Sequence, residues 1–560
     1  MSQPPPPPAR SIRLRRTGWL LVLLMSLLSL FSFFVQRPGM TSDIATYTLA
    51  SEQFKAGLTT EPDLLLSVDP QNLSQLRKSK LTWWPRSYGA IPRRAQKIAA
   101  TLGFDFDLGQ TIRWIVVCGW ILAILLWSWF FHLSTSSTAL PWMIVVLLCT
   151  RYSHSNGYLF DGGEFFYWAI FPAVLLVNIA ALKTRDSHQT TITLAVLAGL
   201  LTPGLVLLKY SAGLSSIGFA AAWIWVVYRK HSLQLRLFYW AIGAGISTGL
   251  IVGLGMLPAG NPTQIDSPVQ WTPLLWATGA WLFAMTDLGT LLEKFTGDLL
   301  PAMGTHSDGS EGWLFLPLAF LVLLILRPEN GKSADRATHP LKKQFVIIHL
   351  FGFSIVLAGL LVRGSAIHLD TRFLRPAAIA VMPWVIPPLI SRCRNGLTGP
   401  IRISAFALAV ILVLIPCLYG VLSLGHKTFV RSQVAAARTG PKGLRHDLLS
   451  DTGNAKAFFH ELNRQCGEQD MIFITDPALG IPLSAKRLFT EEHAHLRTHE
   501  ELQRRTYKGY PPGKLLLPLP QWMVTDGRAT IIQNSFRDVE HWTTNKLDSQ
   551  PDWVLFIGSH

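Results

Sequence analysis

Asp43 lies in the stretch Ser42-Asp43-Ile44-Ala45-Thr46-Tyr47, a few residues past an apolar run from Gly18 to Val35. A carboxylate in that place stands where a reaction could meet a lipid headgroup layer, and the work open to a lone acid there is that of a general base. The plainer alternative is a solvated or helix-capping aspartate. Tyr47, Ala50 and Phe54 follow Asp43 at intervals of four, three and four residues. That spacing predicts one face of a short helix lying along the membrane surface, with the acid and the phenol on one edge. A second polar set, Arg151, Tyr152, His154, Asn156, Tyr158, Asp161 and Glu164, falls between two apolar runs and mixes aromatic with hydrogen-bonding groups, as sugar pockets do. Asp43, Asp161 and Glu164 could together hold a divalent cation through hard oxygen ligands, although their spacing carries no metal signature. His368 and Asp370 precede Arg372 and Arg375 and form a third cluster, which could equally be a salt-bridged cap on the next apolar run.

The elements that must position these groups are set by composition. Hydrophobic residues make up 49% of the 560 and charged residues 15%, with a positive mean hydropathy, so the chain reads as a polytopic membrane protein. A helix needs about 20 apolar residues to cross a bilayer. Runs of about that length predict about eleven crossings, near 18–35, 112–133, 139–150, 165–182, 191–208, 212–228, 237–258, 313–327, 345–362, 374–390 and 403–425. The stretch 273–291 is read as interfacial or re-entrant.

Charge sets the sidedness. Arg10, Arg13, Arg15 and Arg16 precede the first run and predict a cytoplasmic amino terminus. Alternate loops are then basic, through Lys183 and Arg185; Arg229, Lys230 and Arg236; Lys332, Arg336, Lys342 and Lys343; and Arg392, Arg394 and Arg402. The organisation expected is a cytoplasmic Pro-rich basic tail (1–17), a transmembrane domain (18–425) with a first outer loop (37–111), and an extracytoplasmic domain (426–560). That last domain shows a helix-like stretch from Ala455 to Gln465, a strand from Met471 ending in Asp476-Pro477, and a final strand from Trp553 to Ile557, which together predict a small α/β fold. Asp476 reads as a turn former, since no glycine-rich phosphate loop accompanies it.

A formal net charge of +16 does not call for nucleic acid, because membrane orientation accounts for the basic alternate loops. In the first outer loop Arg77, Lys78, Lys80, Arg86, Arg93, Arg94 and Lys97 could meet anionic headgroups or a lipid-linked phosphate. The five cysteines show no paired metal spacing, so no zinc site is expected, and Cys466 alone falls in the outer domain, so no structural disulfide is expected there. The basic start of the chain with its long apolar run reads as a retained span rather than a cleaved signal. A bacterial plasma membrane is the expected home, since no endoplasmic retention signal closes the chain.

The segment Leu81-Thr82-Trp83-Trp84-Pro85-Arg86-Ser87-Tyr88-Gly89-Ala90-Ile91-Pro92 sets aromatics and arginine among prolines, which an interfacial aromatic belt would also explain. With Asp43, Tyr47, Ala50 and Gly57 after the first span, with Pro85, Tyr88, Pro92, Gly103 and Arg113 leading into the second, and with Arg372-Phe373-Leu374-Arg375-Pro376 late in the chain, the sequence resembles the GT-C glycosyltransferase superfamily. The likeness is to its lipid-phosphate-sugar-dependent group, typified by protein O-mannosyltransferases and lipid A aminoarabinose transferases. It covers the order of elements over roughly 10–430. The chain departs from the pattern in having a single acid, Asp43, where many relatives carry adjacent acids, and in Arg86 between the prolines.

The resemblance implies an inverting transfer from a polyprenyl-phosphate sugar to an acceptor, with Asp43 as base and Tyr47 and Tyr88 near the substrate; Arg86 is a further candidate for binding substrate. It implies a cationic cradle for the departing phosphate, for which Lys209 beside Tyr210, Arg372 and Arg375 are candidates. A lysine at a span end also snorkels for no functional reason. No organic cofactor is expected, and a divalent cation only through the three acids above. The partners expected are the lipid-linked donor, an unknown glycan, lipid or protein acceptor, and membrane lipids. The rival reading is a non-enzymatic transporter or assembly partner for lipid-linked envelope glycans. Transporters favour internal repeats and ionisable groups at mid-membrane depth, whereas here the ionisable residues fall mainly in loops.

Overall fold

The computed structural model describes residues 9–85, 88–135, 138–150, 163–183, 188–257, 272–286, 288, 340–362, 373–394, 400–491 and 493–559. Eight helices among these are long and apolar enough to cross a membrane. In chain order the first helix is α1 (Ile12–Val35), followed by α2 (Ser42–Lys55), strands β1 (Leu64–Asp69) and β2 (Asn72–Lys80), α3 (Ala90–Thr101), α4 (Leu108–His132) and α5 (Leu140–Leu148). Then come α6 (Glu164–Lys183), α7 (His188–Leu207), α8 (Tyr210–Arg229), α9 (His231–Gly253), α10 (Thr272–Met285), α11 (Pro340–Leu360), α12 (Arg375–Arg394) and α13 (Ile403–Phe429). The carboxy-terminal region adds α14 (Ala455–Gln465), β3 (Met471–Ile474), α15 (Pro477–Gly480), β4 (Arg487–Thr490), β5 (Leu515–Pro520), β6 (His541–Lys546) and β7 (Trp553–Ser559). The protein is thus a mostly helical, multi-pass membrane protein with a carboxy-terminal sheet domain.

Three expected crossings differ or fall outside. At 139–150 the chain forms α5, whose 9 residues rise only about 14 Å against a hydrocarbon layer of about 30 Å. At 374–390 it forms α12, with Pro383, Pro387 and Pro388 inside the helix. The crossing at 313–327 and the prolines at 4–8 lie outside the described residues. The stretch expected not to cross contains α10, whose 14 residues are short of a span.

The chain groups into two compact units, one of Met1–Phe31, Cys118–Ser155 and Gly163–Gly425, the other of Ser32–Val117, Asn156–Gly162 and His426–His560. In the first, small residues let spans approach. A Cβ on Gly199 would strike the Trp240 carbonyl and one on Gly243 the Val196 carbonyl, so α7 and α9 cross backbone to backbone. Basic residues near the amino-terminal ends of α9 and α11 cap the ends of other helices: Arg236 donates to the carbonyls of Ala181 and Leu182 (2.9 and 3.0 Å), and Lys342 to that of Leu133 (2.6 Å).

In the second unit β1 and β2 form an antiparallel hairpin, and the five other strands form a mixed sheet in the order β4-β3-β5-β7-β6. β3 runs parallel to β4 and β5, while β7 is antiparallel to β5 and β6. The hairpin belongs to the same core as the sheet: Val68 and Leu73 are buried with Phe473, Phe489, Tyr507 and Phe536. Arg487 at the start of β4 donates to the carbonyls of Leu73 and Ser74 (3.1 and 2.7 Å).

Candidate active site

α2 is the helix that the spacing of Asp43, Tyr47, Ala50 and Phe54 predicts. It ends in a Schellman turn. Leu58 N–H reaches the Gln53 carbonyl at 3.0 Å and Gly57 N–H the Phe54 carbonyl at 3.1 Å, with Gly57 at a φ of 75° that a side chain would strain. Gln53 fixes the following hairpin, since its side chain bonds both the N–H and the carbonyl of Leu66 (2.9 and 2.8 Å).

Asp43 lies in the first turn of α2 and is half-buried. Tyr47, one turn on, is fully buried, and its hydroxyl oxygen accepts the Trp84 N–H at 2.8 Å. Trp83 packs edge-on against the Tyr47 ring at 5.5 Å, and Tyr88, itself buried, lies 6.1 Å from the Trp84 ring. Thus the two tyrosines expected near substrate come together through the Trp83-Trp84 segment, where they organise the loop that follows the hairpin. Gly89 allows α3 to start against α2, because a Cβ there would collide with the Tyr47 carbonyl. The Arg93 guanidinium then covers the Phe54 ring at 4.6 Å.

The first turn of α2 meets a group of residues that the sequence did not single out together. Ser42 Oγ donates to Asp476 Oδ2 at 3.1 Å and lies 3.3 Å from His493 Nδ1. Asp476 caps α15 by accepting Ala478 N–H at 2.7 Å, which is the turn role its Asp-Pro context predicts. His495 Nδ1 stands 3.2 Å from the Thr475 carbonyl, and its imidazole is pushed below the ordinary histidine range first by burial. The signals available were the Asp476-Pro477 cap and the polar run Glu491-Glu492-His493-Ala494-His495. Neither points to Ser42, which is over four hundred residues away.

The remaining described candidates belong to the first unit. Glu164 opens α6 and forms a buried ion pair with Lys209, whose ammonium also lies over the Phe373 ring at 4.6 Å. Gly163, at a φ of 77°, brings the start of α6 against the Leu208 carbonyl and so sets the two partners side by side. Tyr210 donates to the Met256 carbonyl at 3.4 Å, and Arg375 opens α12 with almost no exposure. Arg86, Arg151, His154, Asp161, His368, Asp370 and Arg372 lie outside the described residues. No group of three or more His, Cys, Asp or Glu stands in a metal-binding arrangement among the described residues. Glu164, one of the carboxylates considered for a cation, is engaged by Lys209.

No family model and no curated protein matches the chain. Among solved structures it is similar to ArnT from Cupriavidus metallidurans bound to undecaprenyl phosphate, at 13% identity and a TM-score of 0.43, over 97% of this chain and 98% of that one. The apo state of the same protein overlaps at 12% identity and a TM-score of 0.42, over 97% and 98%. The archaeal oligosaccharyltransferase AglB from Archaeoglobus fulgidus, in complex with an inhibitory peptide and a dolichol-phosphate, overlaps at 12% identity and 0.42, over 97% of this chain and 74% of its own. Overlaps of that size leave the chemistry to be argued from the chain's own residues.

Proposed function

We propose that the protein is an integral membrane glycosyltransferase that moves a sugar from a polyprenyl-phosphate donor to an acceptor on the extracytoplasmic face, with Asp43 as general base. The observation that carries this reading is the placement of Asp43. It is a half-buried carboxylate in the first turn of a helix that starts a few residues beyond the first span, on a helix tied to its neighbours on several sides. The acceptor hydroxyl oxygen forms a bond to the anomeric carbon, the bond from that carbon to the phosphate oxygen breaks, and the phosphate leaves with the electron pair. Asp43 takes the acceptor's proton, and the sugar's configuration inverts. Cations must offset the charge that grows on the leaving phosphate. Arg375 and Lys209 are the described candidates, and Lys209 would act from within its pair with Glu164. A bacterial inner membrane with a cytoplasmic amino terminus and an extracytoplasmic sheet domain belongs to the same proposal.

The test is release of polyprenyl phosphate from a panel of radiolabelled polyprenyl-phosphate sugars by the protein in lipid nanodiscs. One donor should be turned over, and Asp43→Asn should slow it by about a hundredfold or more while still binding the carrier. Wild-type rates in Asp43→Asn would sink the assignment of the base. Carrier binding without release from any donor would favour a transporter or assembly partner instead.

A further inference from the structure

At the amino-terminal cap of α2, Thr41 makes no side-chain capping bond. The turn is held from the sheet domain, one residue before Asp43. Ser42 is buried, its Oγ donates to Asp476 Oδ2, and its carbonyl accepts the Thr46 hydroxyl at 2.8 Å. A serine hydroxyl has a single proton, so once that proton goes to Asp476 the contact with His493 requires Nδ1–H to donate to Ser42 Oγ. The order His493, Ser42, Asp476 is not that of an activated nucleophile. There the imidazole takes the serine proton and the carboxylate bonds the imidazole, whereas here the carboxylate accepts from the serine itself.

Both anchors are built into the end of the sheet. Asp476 follows β3 and has its other oxygen fixed by Ala478 N–H. His493 has a φ of 58°, the left-handed region that costs a residue with a side chain, and it is the sole non-glycine residue there among the described residues. The turn is fastened just beyond, where Ala494 is buried and His495 bonds the Thr475 carbonyl. Backbone strain persists where the surroundings impose it, and the strained residue here sets its ring nitrogen 3.3 Å from Ser42 Oγ.

We propose that Ser42, Asp476 and His493 are positioning residues, through which the carboxy-terminal sheet domain fixes the first turn of α2 and with it the carboxylate of Asp43. The proposal rests on the reading of Asp43 as the base. It gives the sheet domain a part in catalysis without contact with substrate.

The experiment uses the full chain in lipid nanodiscs with Ser42→Ala, Ser42→Thr, His493→Gly and Asp43→Asn. Amide hydrogen exchange over residues 44–47 needs no substrate. It should speed up by about tenfold in Ser42→Ala and His493→Gly and return to the wild-type rate in Ser42→Thr. Glycine accepts the left-handed backbone, so His493→Gly should keep or raise the thermal midpoint even as it loosens the turn. With the donor that is turned over, both loosening variants should lose about tenfold in kcat at unchanged KM, and Ser42→Thr should recover it. Wild-type exchange in Ser42→Ala would overturn the anchor. Faster exchange with undiminished kcat, while Asp43→Asn is inactive, would overturn the positioning role alone. Wild-type turnover in Asp43→Asn would overturn the base and, with it, the purpose of the anchor.

Discussion

A lysine buried at the end of a membrane span needs a counter-charge beside it, and Lys209 has one in Glu164. Side-chain exposures of 6% and 7% bury both ions, so removing one leaves the other's charge less well compensated. Lys209→Met should therefore destabilise the protein by about 3–5 kcal/mol, seen as a lower thermal midpoint. The double variant Glu164→Gln with Lys209→Met removes both charges and should recover most of that loss. Stability and donor affinity then separate. If Lys209 also meets the phosphate, the stable double variant should bind the lipid-linked donor several-fold more weakly. If it binds as tightly as wild type, the pair serves packing alone. Tyr47 teaches the same distinction, since its hydroxyl already accepts the Trp84 N–H and organises the aromatic segment.

Among the elements, α2 depends on how closely its neighbours approach. Gly89 and Gly57 are both short of a side chain for different reasons, and the difference predicts an order of cost. At Gly89 an added Cβ meets the backbone carbonyl of Tyr47, which cannot swing away, so Gly89→Ala should cost about 1–3 kcal/mol and disturb the start of α3. At Gly57 the space is open and only the φ of 75° resists a side chain, so Gly57→Ala should cost about 1 kcal/mol and leave α3 in place. Thermal midpoints with amide exchange over 89–101 would check both; a cheaper Gly89→Ala would mean that α3 does not rest on α2. α2 was legible because its signal is local, a run of residues at helical spacing. So were α14 and strands β3 and β7, each set by a short periodic stretch. The hairpin was not. β2 is polar and basic, and it is a strand because it pairs with β1 and because Leu73 joins the core with Phe473 and Phe489. Arg77, Lys78 and Lys80, read as a headgroup patch, are all exposed along it, where charge also guards a strand against unwanted pairing.

For the molecule as a whole, class was legible from composition, since each span carries its own apolar run, whereas partnership between distant segments was not. The loop after the first span shares a unit with the carboxy-terminal residues, and the segment following α13 shows how. Arg445 N–H bonds the Pro38 carbonyl at 2.8 Å, just past α1, and the Lys442 carbonyl accepts Gly109 N–H at 2.9 Å, in the first turn of α4. His446 lies in the middle of this strap, 2% exposed, with its ring 4.7 Å from that of Phe459 and neither ring nitrogen hydrogen-bonded. Burial pushes its pKa down from 6.5 to about 4, against a smaller opposing pull from Asp447. Between those values the unfolded chain binds a proton that the folded chain excludes, so stability rises with pH across the window. The contribution is complete above pH 6.5 and is lost as pH falls to about 4, an upper bound of about 3 kcal/mol at 1.36 kcal/mol per pKa unit. His495 is depressed in the same direction, so it adds to the slope with the same sign. His446→Leu should remove part of that slope: the drop in thermal midpoint between pH 7 and pH 4.5 should be smaller than in wild type, and exchange over 439–449 should no longer quicken on acidification. An equal drop in the two proteins would mean that His446 is protonated as readily in the folded strap as in the open chain, and acid loosening would then have to begin elsewhere than in the segment bonded to Pro38 and Gly109.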